Sequence, residues 1–105
     1  MERSARESVI VPEHAVIVHV AALPDDIGLD VIEDALIEAI DAAGVGEFDG
    51  NVIGPEDAEL YMYGPNADAL WTVIEPVVRA AQLSNASYAV KRYGEPGSPE
   101  ERITL

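Results

Sequence analysis

The stretch Gly44–Gly64, GVGEFDGNVIGPEDAELYMYG, decides how the rest of the chain is read. It has the pattern of a glycine-punctuated β-hairpin. Asp49-Gly50-Asn51 supplies residues that tolerate positive φ and Gly54-Pro55 adds a second break, so the chain is expected to turn or bulge between two extended runs. The second run, Glu59-Leu60-Tyr61-Met62-Tyr63, alternates with the two-residue period of a strand. Leu60 and Met62 then face one side of a sheet and Tyr61 and Tyr63 the other.

Working outward on the N-terminal side, Leu29, Ile32, Leu36, Ile40 and Ala43 recur at helical spacing and define a buried face. Asp34, Glu38 and Asp41 fall opposite it as a purely acidic stripe. Asp30-Val31-Ile32-Glu33 resembles a capping box, with a start a few residues earlier as the alternative, and Gly44 is the expected stop. Before this helix, His14–Leu23 is a strand in which Val16, Val18 and Val20 alternate with Ala15, Ile17 and His19. Apolar residues on both of its faces predict a central position. Residues 1–13 mix charge and serine around Val9-Ile10-Val11 and are expected to form a mobile arm, leaving 14–105 as a single domain.

On the C-terminal side, Asn66 is the predicted N-cap of a helix from Ala67 to about Ala81, with Leu70, Val73, Ile74, Val77 and Ala81 as its apolar arc and Trp71 at the edge. Pro76 lies outside that arc, where a kink is expected and a break is not. Ser87–Tyr93 returns to strand period, with Tyr88 and Val90 on one face and Ala89, Lys91 and Tyr93 on the other. After the Gly/Pro-rich Gly94–Glu101, Arg102–Leu105 is a candidate short edge strand.

Strand, helix, strand, strand, helix, strand is the split βαβ order, which predicts an α+β, ferredoxin-like βαββαβ fold with both helices on one face of an antiparallel sheet. The first and third strands are then central. The uncovered face is expected to carry Ile17, His19, Tyr61, Tyr63, Lys91 and Tyr93, an aromatic surface and the leading candidate for binding.

With 105 residues the chain has the size of one domain. No apolar run approaches the roughly 20 residues of a membrane span and Met1–Ser8 has no hydrophobic core behind it, so a cytoplasmic protein that does not bind membrane is expected. The absence of cysteine excludes disulfides, thiolate metal sites and cysteine nucleophiles. Twenty acids against six bases give a net charge of −14, which repels phosphate backbones and argues against nucleic acid as a partner. Steering toward a basic protein or a cation is one reading of this acidity; solubility in an acidic, halophilic proteome is the other, and the even spread of the acids favours it.

Residue types that carry chemistry do not converge in the sequence. His14 and His19 are five apart on a strand and project to opposite faces, so they cannot share a metal ion. Asp49, Asn51 and Gly54 match three positions of a calcium loop, but Ile53 and Leu60 stand where oxygen ligands are required; a hairpin turn is the simpler reading. Gly44-Val45-Gly46 follows a helix and precedes a strand, the reverse of a phosphate cradle. No nucleophile elbow is present, and no carboxylate pair stands out among so many. No catalytic residue, metal or cofactor is therefore assigned. The stripe Asp34, Glu38 and Asp41 is a second binding candidate, for a basic protein partner, although a solvated face is the favoured reading.

GEFDGN at Gly46–Asn51, LYMYGP at Leu60–Pro65, EPVVR at Glu75–Arg79 and KRYG at Lys91–Gly94 resemble strings in a group of small uncharacterised bacterial ferredoxin-like proteins. The resemblance covers most of Val16–Leu105. It implies a shared fold and carries over no activity and no catalytic residue. By charge and fold the chain is also similar to immunity proteins that neutralise toxins. The sequence therefore points to a non-enzymatic interaction module, with a homodimer through the sheet face or a basic protein partner. A small-molecule sensor domain and a cofactor-free enzyme of the dimeric sheet-barrel type are the alternatives.

Overall fold

A computed structural model describes residues 13–22 and 28–105. The expected N-terminal arm lies outside the described residues except for Glu13, as do Asp25 and Asp26. The elements are β1 (His14–Val20), α1 (Gly28–Ala43), β2 (Glu47–Ile53), β3 (Ala58–Gly64), α2 (Ala67–Ala80), β4 (Tyr88–Arg92) and β5 (Glu100–Thr104). The strands form one five-stranded sheet in the order β2-β3-β1-β4-β5, with every neighbouring pair antiparallel. This α+β arrangement fits a ferredoxin-like fold. Among the described residues no helix is long and apolar enough to cross a membrane.

Val16, Val18 and Val20 of β1, Leu60 and Met62 of β3 and Ala89 of β4 share one core with Leu36 and Ile40 of α1 and Leu70 and Ile74 of α2. Both helices therefore cover the same face of the sheet, and burial of this stripe is the main term holding the layers together. Two side chains fasten the ends of β1. His14 Nδ1 accepts the Ala67 amide at 3.0 Å, beside Asn66 Oδ1, which caps Asp68 and Ala69. The buried Ser87 hydroxyl accepts the Ala21 amide at 2.9 Å.

Several local expectations change in the fold. Asp49-Gly50-Asn51 does not form the hairpin turn; β2 runs through it with a bulge between Phe48 and Gly50, and the chain reverses at Gly54, whose amide donates to the Asp57 carbonyl at 2.8 Å. Where β2 begins, Gly46 and Gly64 let two backbones meet: a Cβ on Gly46 would overlap the Tyr63 carbonyl. Helix α1 is already formed at Gly28, so Asp30 lies in its first turn, where its charge suits the helix dipole without acting as the cap. Ala43, expected in the core, is exposed, and Gly44 ends the helix at φ +66°. In α2 the buried line is Leu70, Trp71, Ile74 and Val78, with Val73 and Val77 only partly covered, so Trp71 is a core residue and not an edge one. The helix continues through Pro76, whose ring is exposed.

Candidate binding face of the sheet

The face opposite the helices is assembled by register. Reading across from β2 to β5, its three rows are Val52–Glu59–His19–Tyr88–Thr104, Gly50–Tyr61–Ile17–Val90–Arg102 and Glu47–Tyr63–Ala15–Arg92–Glu100. His19, Tyr61 and Tyr63 stand on this face together with Ile17, as their parity on β1 and β3 requires.

Lys91 and Tyr93 do not belong to it. Lys91 pairs with Val16 and lies on the helix side, where its ammonium donates to Asp68 Oδ1 at 2.8 Å and is 3.3 Å from Glu101 Oε1. The Tyr93 hydroxyl donates to the same Asp68 oxygen at 2.8 Å and lies 3.2 Å from Glu101 Oε1, and its ring meets His14 edge-on. The hydrogen bond from Lys91, then that from Tyr93, holds the Asp68 carboxyl below its usual range. The bond to Asp68 in turn raises both Lys91, against the opposing effect of burial, and the Tyr93 phenol. These residues fasten β4 and β5 to the first turn of α2. The physical reason for the reversal is that Tyr88, Ala89 and Val90 are apolar on both faces, so alternation alone does not say which side is the core. Helix α2 packs over β4, and Ala89, with no exposed surface, takes the inward position while the larger Tyr88 and Val90 turn outward.

The chemistry of the open face centres on His19. Its ring stacks on Tyr88, with centroids 4.8 Å apart and planes 19° from parallel, and the guanidinium carbon of Arg102 lies 3.6 Å from the centre of the same tyrosine ring. His19 Nε2 is 3.7 Å from Asp57 Oδ2 and Nδ1 is 3.8 Å from Glu59 Oε2, distances that suit ion pairing of the protonated ring and are too long for hydrogen bonds. Nδ1 is buried without a hydrogen-bond partner among the described residues. Glu59 is engaged on its other oxygen, which accepts the Tyr61 hydroxyl at 2.7 Å. That bond, followed by burial and the negative charge of Glu59, pushes the Tyr61 phenol up to about 12, so Tyr61 remains a donor.

Tyr88, Arg102, Asp57 and Glu59 were not anticipated as part of this cluster. Each comes from a different segment than His19, and only the register across β3, β1, β4 and β5 brings them to it. The acidic stripe is as expected in position: Asp34, Glu38 and Asp41 are all exposed on α1, on the opposite side of the molecule from this face. Among the described residues no group of histidine and carboxylate side chains has metal-binding geometry, and His14 and His19 lie on opposite sides of the sheet. The arrangement therefore offers stacking surface, charge and one unsatisfied nitrogen. No family model, curated protein or solved structure matches the chain.

Proposed function

We propose that the protein is a non-enzymatic interaction module that pairs with a second copy of itself through the open sheet face. The observation that carries this reading is the segregation of charge on that face. Glu47, Asp57 and Glu59 lie on the β2–β3 half and Arg92 and Arg102 on the β4–β5 half, with Ile17, Val90 and the tyrosines between them and Glu100 alone at the outer basic edge. Strand β1 is the middle of five. A twofold axis running along β1 lays each acidic half over the arginines of the other copy, whereas an axis across the strands sets acid against acid. The succession of elements, with strand order β2-β3-β1-β4, also supports the finer reading of a ferredoxin-like βαββαβ unit extended by β5.

Sedimentation velocity tests the pairing. Wild type is expected to sediment as a dimer, and Tyr61→Glu with Tyr63→Glu as a folded monomer, because the twofold axis buries four added carboxylates per pair. Arg102→Glu should weaken the dimer and Glu59→Arg in the same chain should restore it. A monomeric wild type removes the proposal. The unpaired His19 Nδ1 favours a second reading, in which the face encloses a small ligand that bonds this nitrogen, as in sensor domains or cofactor-free sheet-barrel enzymes. Native mass spectra would then show a bound small molecule that is lost in His19→Phe; its absence from the wild type removes that reading.

A further inference from the structure

On the far side of the helices from the sheet, α1 and α2 leave a groove of about 570 Å³ between them. Its walls are largely apolar, with Val31, Ile32 and Ala35 of α1 facing Pro76, Val77 and Ala80 of α2, and Gln82 at one end. Most of the larger apolar residues of both helices are turned to the sheet, and the small Ala35 and Ala80 lie along the groove with the Pro76 ring. Val31 is 58% exposed on the rim, an apolar side chain left in water.

The two banks differ in charge. On the α2 side Glu75 and Arg79 neutralise each other at 2.8 Å. On the α1 side the exposed Asp34 and Glu38 follow Val31 at helical spacing, three and seven residues on, and Asp41 continues that line away from the groove. None of the three has an ion pair among the described residues, and the described bases are committed elsewhere: Arg79 to Glu75, Lys91 to Asp68, Arg92 to the Gly94 carbonyl and Arg102 to the Tyr88 ring.

We propose that this groove is the docking site for a cationic amphipathic helix of another protein, whose apolar side chains enter between α1 and α2 and whose Lys or Arg residues lie along Asp34, Glu38 and Asp41. Pro76 to Ala81 spans about 8 Å of helix axis, enough for two anchors at i and i+4, about 6 Å apart. Charge selects the occupant. A second copy of this chain brings a further −14, and phosphate-bearing nucleic acid or anionic membrane is repelled by the same carboxylates. This surface lies behind the helices and is independent of self-pairing through the sheet.

The test is fluorescence anisotropy with the full chain and a labelled peptide of about 14 leucines and lysines arranged as an amphipathic helix. The comparison peptide has the same composition scrambled so that no apolar stripe forms. The striped peptide is expected to bind at least about tenfold more tightly. Ala80→Leu, which fills the groove, should remove that advantage, and Asp34→Asn with Glu38→Gln and Asp41→Asn should weaken binding and flatten its salt dependence. Equal binding of the two peptides, or undiminished binding by the triple variant, overturns the proposal. An affinity raised about tenfold by Arg3→Gln with Arg6→Gln also overturns it, since the chain's own first residues would then be the competing occupant.

Discussion

Leu36 and Glu38 are two residues apart on α1 and have opposite environments, so a matched pair of substitutions tests the layer arrangement on which both surfaces depend. Leu36 has no exposed area and belongs to the core shared by both helices and the sheet. In Leu36→Asp, loss of the leucine side chain costs about 2–5 kcal/mol. The carboxyl left among apolar neighbours without a partner adds about 2 kcal/mol or more. The sum, about 4–7 kcal/mol, is comparable to the whole stability of a domain of this size, about 5–15 kcal/mol. Glu38 is exposed, with Asp34 four residues before it and Asp41 three residues after it. Glu38→Lys turns two like-charge neighbours into opposite-charge ones, a gain of about 1–2 kcal/mol in all. Thermal unfolding followed by circular dichroism should show Leu36→Asp without a cooperative transition or melting some 20 °C or more below wild type, at about 4–8 °C per kcal/mol. Glu38→Lys should melt at or slightly above wild type. Melting temperatures for the two variants that agree within a few degrees would refute the assignment of α1's inner and outer faces.

Two further outcomes follow from the geometry. Gly46→Ala places a Cβ against the Tyr63 carbonyl at a backbone φ of +155°, so it should destabilise the fold by about 1–3 kcal/mol in urea unfolding, whereas Gly97→Ala, which meets open space, should cost only its φ strain. The Tyr61 phenol is raised by its bond to Glu59, so the stability it contributes is complete below the ordinary tyrosine value of 10.0 and is lost as pH rises through about 12. Absorbance titration should accordingly show that the tyrosine signal lost in Tyr61→Phe belongs to the late part of the wild-type curve; a lost signal centred near 10.0 would show that the Glu59 hydrogen bond is absent in solution.

The elements whose signals are local were legible from the amino-acid sequence alone. The valines of Val16–Val20 and the Leu60/Met62 alternation, the spacing Leu29–Ile32–Leu36–Ile40, the Asn66 cap and the Gly44 stop each express a preference of a few neighbouring residues, and each stands in the structure where that preference puts it. The placement of His19, Tyr61 and Tyr63 on one face follows from the same strand parity. The composition also excluded thiol chemistry and disulfide bonds, because there is no cysteine. Tertiary structure decided what depends on pairing between distant segments. A slip of one residue in a strand exchanges its faces, and the apolar run Tyr88–Val90 gives no internal sign of which face is inward. Only packing of α2 over β4 turns Ala89 into the core, sends Lys91 and Tyr93 to Asp68, and brings Tyr88 against His19 with Arg102 on its ring. The interhelical groove has the same origin: each helix shows its alanines in sequence, but the unfilled space exists only where the two helices lie side by side on the sheet.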